Sequence, residues 1–160
     1  AGAMCHIAGL DGERTLPVEG FCTGPGMTNL KSGEFLVSFT LPSRPPYSGD
    51  AYLRFIPRTE MDIAVVGVGV SLTLDSNGNC ILARVGLGAV AATALLVTAA
   101  AEALIGTSVD EAAIENMLSA ISAACRPIDD KRGTIAYRTQ VSGVLAGRAC
   151  RIALQRVEQG

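Results

Sequence analysis

The chain of 160 residues has no tryptophan, one histidine, and only three tyrosines and four phenylalanines. So few aromatics leave no platform for stacking bases, and no basic stripe runs along the chain. A net charge of −2 gives no general attraction to nucleic acid or to an acidic membrane. The single imidazole, His6, lies near the terminus, and no Ser-His-Asp or Cys-His triad can be built around it with any support. Cys5, Cys22, Cys80, Cys125 and Cys150 are scattered and contain no C-x-x-C pair. A zinc site needs clustered thiolates and imidazoles, which this spacing does not supply. The cysteines read as buried thiols acting as small hydrophobes in a reducing cytoplasm, with Cys5-His6 left as the alternative metal or nucleophile pair.

Long hydrophobic runs are also missing. Residues 85–101 carry no charge, but they are mostly Ala, Gly and Thr and are closed by Arg84 and Glu102. That is too short and too weakly apolar for a membrane span. The opening "AGAM" is too short for a signal peptide and is compatible with a cloning remnant, in which case the chain is a fragment. What is present is a 49% apolar composition, enough for a packed core in one domain, or one domain plus part of another.

Residues 4–22 read as a small hairpin around a D-G turn, and "CTGPGMTNLKSG" as loop. "EFLVSFTL" is a strand stopped by Pro42, and three prolines in "PSRPPYSGD" mark a linker over residues 43–50. Val68, Val70, Leu72 and Leu74 alternate with Gly67, Gly69, Ser71 and Thr73, a half-buried strand with small residues on its second face. Asn77-Gly78 signals a tight turn, after which "CILARVGL" returns antiparallel. With the strand near Tyr52 this makes a sheet of about three strands.

The remainder reads as helical. An Ala-rich segment runs to Gly106, a C-terminal cap, and Ser108 with Glu111 forms a capping box. Ile114, Met117, Leu118, Ile121 and Cys125 share one face of the next helix, which ends before Pro127. A long helix runs from about Gly133 to Val157, its buried stripe being Val141, Val144, Leu145, Ala149 and Ile152. Gly143 and Gly147 each weaken that helix by roughly 1 kcal/mol relative to Ala, so a closely packed neighbour is expected in the groove they leave. The expected fold class is α+β: a small antiparallel sheet packed on a three-helix bundle, preceded by a β-rich tail.

Three stretches invite chemistry. "GLGAVA", residues 86–91, has the G-x-G-x-x-A outline of a dinucleotide turn, but it follows the second arm of a hairpin and no parallel strand returns, so close sheet–helix packing is the stronger reading. Asp129-Asp130 beside Lys131-Arg132 reads as a solvated loop. Arg54, Arg58, Glu60 and Asp62 crowd against the most apolar strand. They either pair across an exposed strand, each pair contributing about 0–1 kcal/mol, or mark a place where something anionic docks.

"GPGMTNLKSGEFLVSFTLP", "YLRFIPRTEMDIAVV", "GLGAVAATALLVTAAAEALIGT" and "RPIDDKRGTIAYRTQVSGVLAGRA" resemble, in order and spacing, the FAD-binding medium subunit of aerobic carbon monoxide dehydrogenase and related molybdenum hydroxylases, including the xanthine dehydrogenase flavin subunit. The likeness implies that residues 1–42 are the tail of an FAD-binding domain and that residues 51–160 are the family's C-terminal domain. It places the flavin between the two domains. Leu36, with Phe35 beside it, falls on the family's apolar contact to the ring. Arg54 falls where the family usually carries a lysine, so a planar fork would replace a point ammonium. Asp62 and Ile63 match an Asp-Ile-Ala segment close to the flavin, where Ile63 would supply an apolar wall, and Arg58 would pair with Asp62. Tyr137 and Arg138 match a structural Y-R pair.

The resemblance also implies partners: a large molybdenum-containing subunit, a small subunit with [2Fe-2S] clusters, and room for a homo-oligomer. Electrons would pass from the molybdenum cofactor through the clusters to FAD and on to an external acceptor such as a quinone or NAD. This chain would carry no catalytic residue and no metal, and would work in the cytoplasm as part of an oxidoreductase. The Gly-rich loops that hold the FAD pyrophosphate do not occur in it, so the isolated chain is expected not to retain FAD. The alternatives are a subunit-docking domain without flavin contact and a free-standing nucleotide-binding enzyme using residues 86–91.

Overall fold

A computed structural model describes residues 2–58 and 62–158. The chain forms two compact units, Ala1–Arg44 and Pro45–Gly160. Glu60, one of the four crowded charges, lies outside the described residues.

The first unit is built on β1 (Met4–Gly9), which pairs antiparallel with β2 (Gly12–Pro17). The expected hairpin is therefore shorter than residues 4–22: Pro17 is its last paired residue, and a 3-10 turn follows at Val18–Gly20. Part of the segment expected to be loop is a small hairpin of β3 (Cys22–Gly24) and β4 (Met27–Thr28). β5 (Phe35–Thr40) joins the free edge of β1, giving the order β2-β1-β5. Apolar burial is slight, with Ala3, Cys5 and Ile7 the buried residues among those described in this unit. Cys22 is exposed, contrary to the expectation of buried thiols, because it sits on the short outlying hairpin.

One carboxylate organises the entry to β5. Glu34 accepts from Arg14 through both oxygens, at 2.8 and 2.7 Å, and from the Lys31 amide at 2.6 Å. The Arg14 fork first and the Lys31 amide second bring the Glu34 carboxyl down to about 2, against the opposing effect of burial. Glu34 thereby ties β2, the 31–34 turn and the start of β5 together immediately before Phe35 and Leu36.

The second unit is an antiparallel meander of β6 (Ser48–Phe55), β7 (Val66–Leu74), β8 (Cys80–Gly88) and β9 (Leu95–Leu96). β6 begins at Ser48, inside the segment expected to be linker. The short β9 adds a fourth strand where the Ala-rich run was expected to be helical. Of that run only α1 (Thr98–Glu102) is helix, since its first part is the end of β8. The turn between β7 and β8 behaves as its residues dictate: Asp75 accepts from the amides of Asn77 and Asn79, and Gly78 takes φ +85°.

α2 (Glu111–Ala124) and α3 (Ile135–Glu158) complete the unit. Asp110, not Ser108, caps α2 by accepting from the Ala113 amide at 2.9 Å. α2 buries Ile114, Met117, Ile121 and the following Cys125, as its apolar spacing requires. α3 packs on β6 and β7, and α2 packs on α3 and α1. The buried stripe of α3 is Ser142, Leu145, Ala146, Ala149, Cys150, Ala153 and Val157, while Val144 is exposed.

The close approach expected at Gly143 and Gly147 occurs elsewhere. A Cβ on Gly143 would meet nothing, and one on Gly147 would meet only side-chain atoms of Arg151 and Leu118. A Cβ on Gly49 would lie 2.0 Å from the Ala153 carbonyl oxygen and 2.9 Å from the Val157 nitrogen. The strand glycine, not the helix pair, lets α3 sit directly on the sheet.

Candidate functional site

Strand alternation decides which residues of β6 are available. Gly49 and Ala51 are buried and Leu53 and Phe55 partly so, whereas Asp50, Tyr52 and Arg54 face solvent. Opposite this outer row the neighbouring strands carry glycine: Arg54 pairs with Gly67 and Tyr52 with Gly69, and these pair in turn with Gly88 and Gly86. A Cβ on Gly67 would come within 2.7 Å of the Tyr52 hydroxyl and one on Gly69 within 3.7 Å of its ring. The Tyr52 ring therefore lies over a stretch of sheet without side chains. Arg54, beside it, has no ion-pair partner among the described residues.

The connection from β6 to β7 brings a second group to the same edge. The Val65 amide donates to the Phe55 carbonyl at 2.9 Å and closes the connection. Asp62 is 7% exposed at its side chain and accepts from the Ile63 amide at 2.9 Å and from Arg58 Nε at 3.3 Å. Arg132 Nε stands 3.8 Å from its other side. Burial alone would raise the Asp62 carboxyl, but the Arg58 bond, the Ile63 amide and the charges of Arg58 and Arg132 outweigh it and leave the group below the usual carboxylate range. The expected Arg58–Asp62 pairing is thus present. Ile63 itself is 64% exposed.

Behind this edge Arg138, in the first turn of α3, is almost fully buried. Its Nη1 donates to the carbonyls of Val65 at 2.8 Å and Ala89 at 3.2 Å, and its Nη2 to Asp130 at 2.7 Å. Tyr137 meets Phe55 edge-on, with ring centroids 6.2 Å apart. The Y-R pair holds the ends of β6, β7 and β8 to the helix. Asp130, read from sequence as half of a solvated acidic pair, is the anion of that clamp. The Arg138 guanidinium and the Arg132 amide keep its carboxyl below the ordinary range against burial.

In the first unit, Phe35 is exposed and Leu36 half-buried opposite Ile7 on β1. An open groove of about 360 Å³ on that unit is lined by His6, Ile7, Glu13, Arg14, Thr15, Val37 and Ser38, and includes none of the expected flavin residues. His6 donates to or accepts from the Thr40 hydroxyl at 2.7 Å and has no cysteine partner there. The dinucleotide reading of residues 86–91 fails on topology, because Gly86 and Gly88 lie within β8, whose neighbours on both sides are antiparallel.

Tyr52 was missed in the sequence, although its place two residues before Arg54 on a period-two strand puts both on one face. Arg138 was placed only by resemblance, since nothing in the spacing marks a buried guanidinium. Among the described residues no helix is long and apolar enough to cross a membrane.

The fold is thus an α+β meander covered on one face by helices, with its other face open around Tyr52 and Arg54. The profile of the family described as CO dehydrogenase flavoprotein C-terminal domain matches residues 51–153. The carbon monoxide dehydrogenase medium chain of Afipia carboxidovorans is 32% identical over 157 residues, covering 98% of this chain and 54% of the relative. The xanthine dehydrogenase FAD-binding subunit of Escherichia coli O157:H7 is 37% identical over 92 residues, which are 57% of this chain and 31% of that protein. A solved structure of reconstituted CO dehydrogenase from Oligotropha carboxidovorans superposes with a TM-score of 0.91 at 32% identity, covering 97% of this chain and 54% of that one. The chain belongs to the CO dehydrogenase flavoprotein C-terminal domain family. It spans about half the length of the carbon monoxide dehydrogenase medium chains it matches.

Proposed function

We propose that this chain is the C-terminal part of the flavin subunit of a cytoplasmic molybdenum hydroxylase of the carbon monoxide dehydrogenase kind. In this reading residues 1–42 are the tail of the FAD-binding domain and residues 51–160 close one side of the FAD site. The names of its relatives, a carbon monoxide dehydrogenase medium chain and a xanthine dehydrogenase FAD-binding subunit, support the assignment. The structural observation that carries it is the outer face of β6. There, a cation without a partner among the described residues stands beside an aromatic ring laid over glycines, and the connection that follows the strand carries an exposed isoleucine.

Those residues suit a planar, partly apolar group that gains negative charge. In the second unit Ile63 and Tyr52 offer exposed apolar surface, and in the first Phe35 does the same beside the half-buried Leu36. Arg54 supplies a positive charge at the surface, which favours an anion next to it. Asp62, whose oxygens are engaged by Ile63 and Arg58, acts by holding Ile63 beside the flavin. The chemistry supplied by bound FAD is electron transfer, from a molybdenum centre in a large subunit through [2Fe-2S] clusters in a small one to an external acceptor. This chain's own part is to bind, orient and shield.

In the intact flavin subunit, Leu36→Ala and Arg54→Ala should each lower the FAD retained per polypeptide, read from the visible absorbance. Full flavin content in both variants would contradict the assignment of these residues.

A further inference from the structure

Ile63 stands 64% exposed on a segment with no regular secondary structure, yet the acid before it is nearly buried and fixed from several sides. The fixing elements form a continuous series. Arg138, at the base of α3, bonds Asp130 at 2.7 Å. The same Asp130 oxygen accepts the Arg132 amide at 2.8 Å, and the Asp130 and Gly133 backbones bond each other in both directions at 3.2 Å. That tight loop presents the Arg132 side chain to Asp62 at 3.8 Å, and the Asp62 oxygen it faces is the one that accepts the Ile63 amide. Gly133 makes the fit possible, since a Cβ there would lie 3.1 Å from the Tyr137 ring and 3.7 Å from Val65.

We propose that Arg132 is a positioning residue for Ile63: held in place by the Asp130–Arg138 clamp, it orients the Asp62 carboxylate and thereby sets where Ile63 stands against the flavin. Arg58 bonds the other Asp62 oxygen at 3.3 Å, the shorter of the two contacts, but its side chain is 74% exposed. Arg132 is 26% exposed there and belongs to a loop whose backbone is already closed. The inference rests on the reading of Ile63 as a flavin wall, and the test separates the two.

In the assembled flavoenzyme, Ile63→Ala, Arg132→Ala and Arg132→Lys are compared by flavin absorption band positions and by flavin reduction potential, with thermal midpoints recorded alongside. Arg132→Ala keeps the backbone bond to Asp130, so the clamp and the fold should survive. The expected result is a shift with Ile63→Ala, a shift of the same sign with Arg132→Ala, and recovery toward the parent with Arg132→Lys. A shift with Ile63→Ala but parent values with Arg132→Ala would overturn the positioning role while leaving the flavin wall in place. Parent values with Ile63→Ala would remove the wall and the positioning role together. A lowered thermal midpoint with no change in spectrum or potential would make Arg132 structural only and would also overturn the proposal.

Discussion

The two units are held together by different physics. The second gathers a continuous core of valines, leucines, alanines and helix-facing cysteines from every strand of its meander and all three helices. Among its described residues the first buries only Ala3, Cys5 and Ile7 and leaves Phe35, Val37, Phe39 and Leu41 largely exposed. Its order comes instead from backbone pairing and from the Arg14–Glu34 fork. A three-stranded sheet with so little core draws little from the hydrophobic effect. The difference teaches that sequence periodicity and stability coincide only where a second layer exists to be buried against.

The sharpest way to break this comparison is to disturb the layer contact. Gly49→Ala drives a Cβ into the backbone of α3, which cannot rotate away, and should cost about 3 kcal/mol in urea unfolding. Gly20→Ala in the first unit meets only the end of the Leu16 side chain, at 3.4 Å, and should cost under about 1 kcal/mol, because that end can give way. Equal costs would mean that helix–sheet contact is not what stabilises the second unit.

Acid should single out the first unit's ion pair. Glu34 has its carboxyl lowered from 4.5 to about 2, so its contribution is complete above pH 4.5 and disappears as pH falls through about 2. The Lys31 amide resonance, which reports the bond to Glu34, should titrate with a midpoint near pH 2. A midpoint at the ordinary value of 4.5 would show that the fork does not hold in solution.

The smallest effect is chemical. Cys22 is exposed, whereas burial first, and then the neighbouring Cys80, push the Cys150 thiol up to about 11, Glu111 adding to the rise and Arg151 opposing it. Alkylation of the native protein at neutral pH should therefore modify Cys22 well before Cys150. Comparable rates would indicate that the core of the second unit opens readily.

Legibility in the sequence followed the same division. β7 and α2 were plain because each buries one face against a neighbour, so alternation in one and 3–4 spacing in the other carry the signal. The Asn77-Gly78 turn was plain because its chemistry is local. Contacts that depend on what arrives from elsewhere were not legible. Gly49 looks like any strand glycine until α3 lies on it, and Gly143 looks like a groove until nothing fills it. The cap at Asp110 replaced that at Ser108 because the helix starts at Glu111, and a shift of two residues is invisible to composition. Within the candidate site, Arg54 and Ile63 were reached through family likeness, and strand alternation then accounted for Arg54 and Tyr52 sharing the open face. The Arg138 clamp joins residues far apart in the chain and left no periodic trace.

The central claim is that Arg54 places a positive charge against bound FAD. The reduction potential of the flavin in the intact enzyme, compared between the parent and Arg54→Ala, tests it most directly. A positive charge stabilises the anionic reduced form, so its removal should lower the potential. An unchanged potential at full flavin occupancy would contradict the claim and return Arg54 to an ordinary surface role.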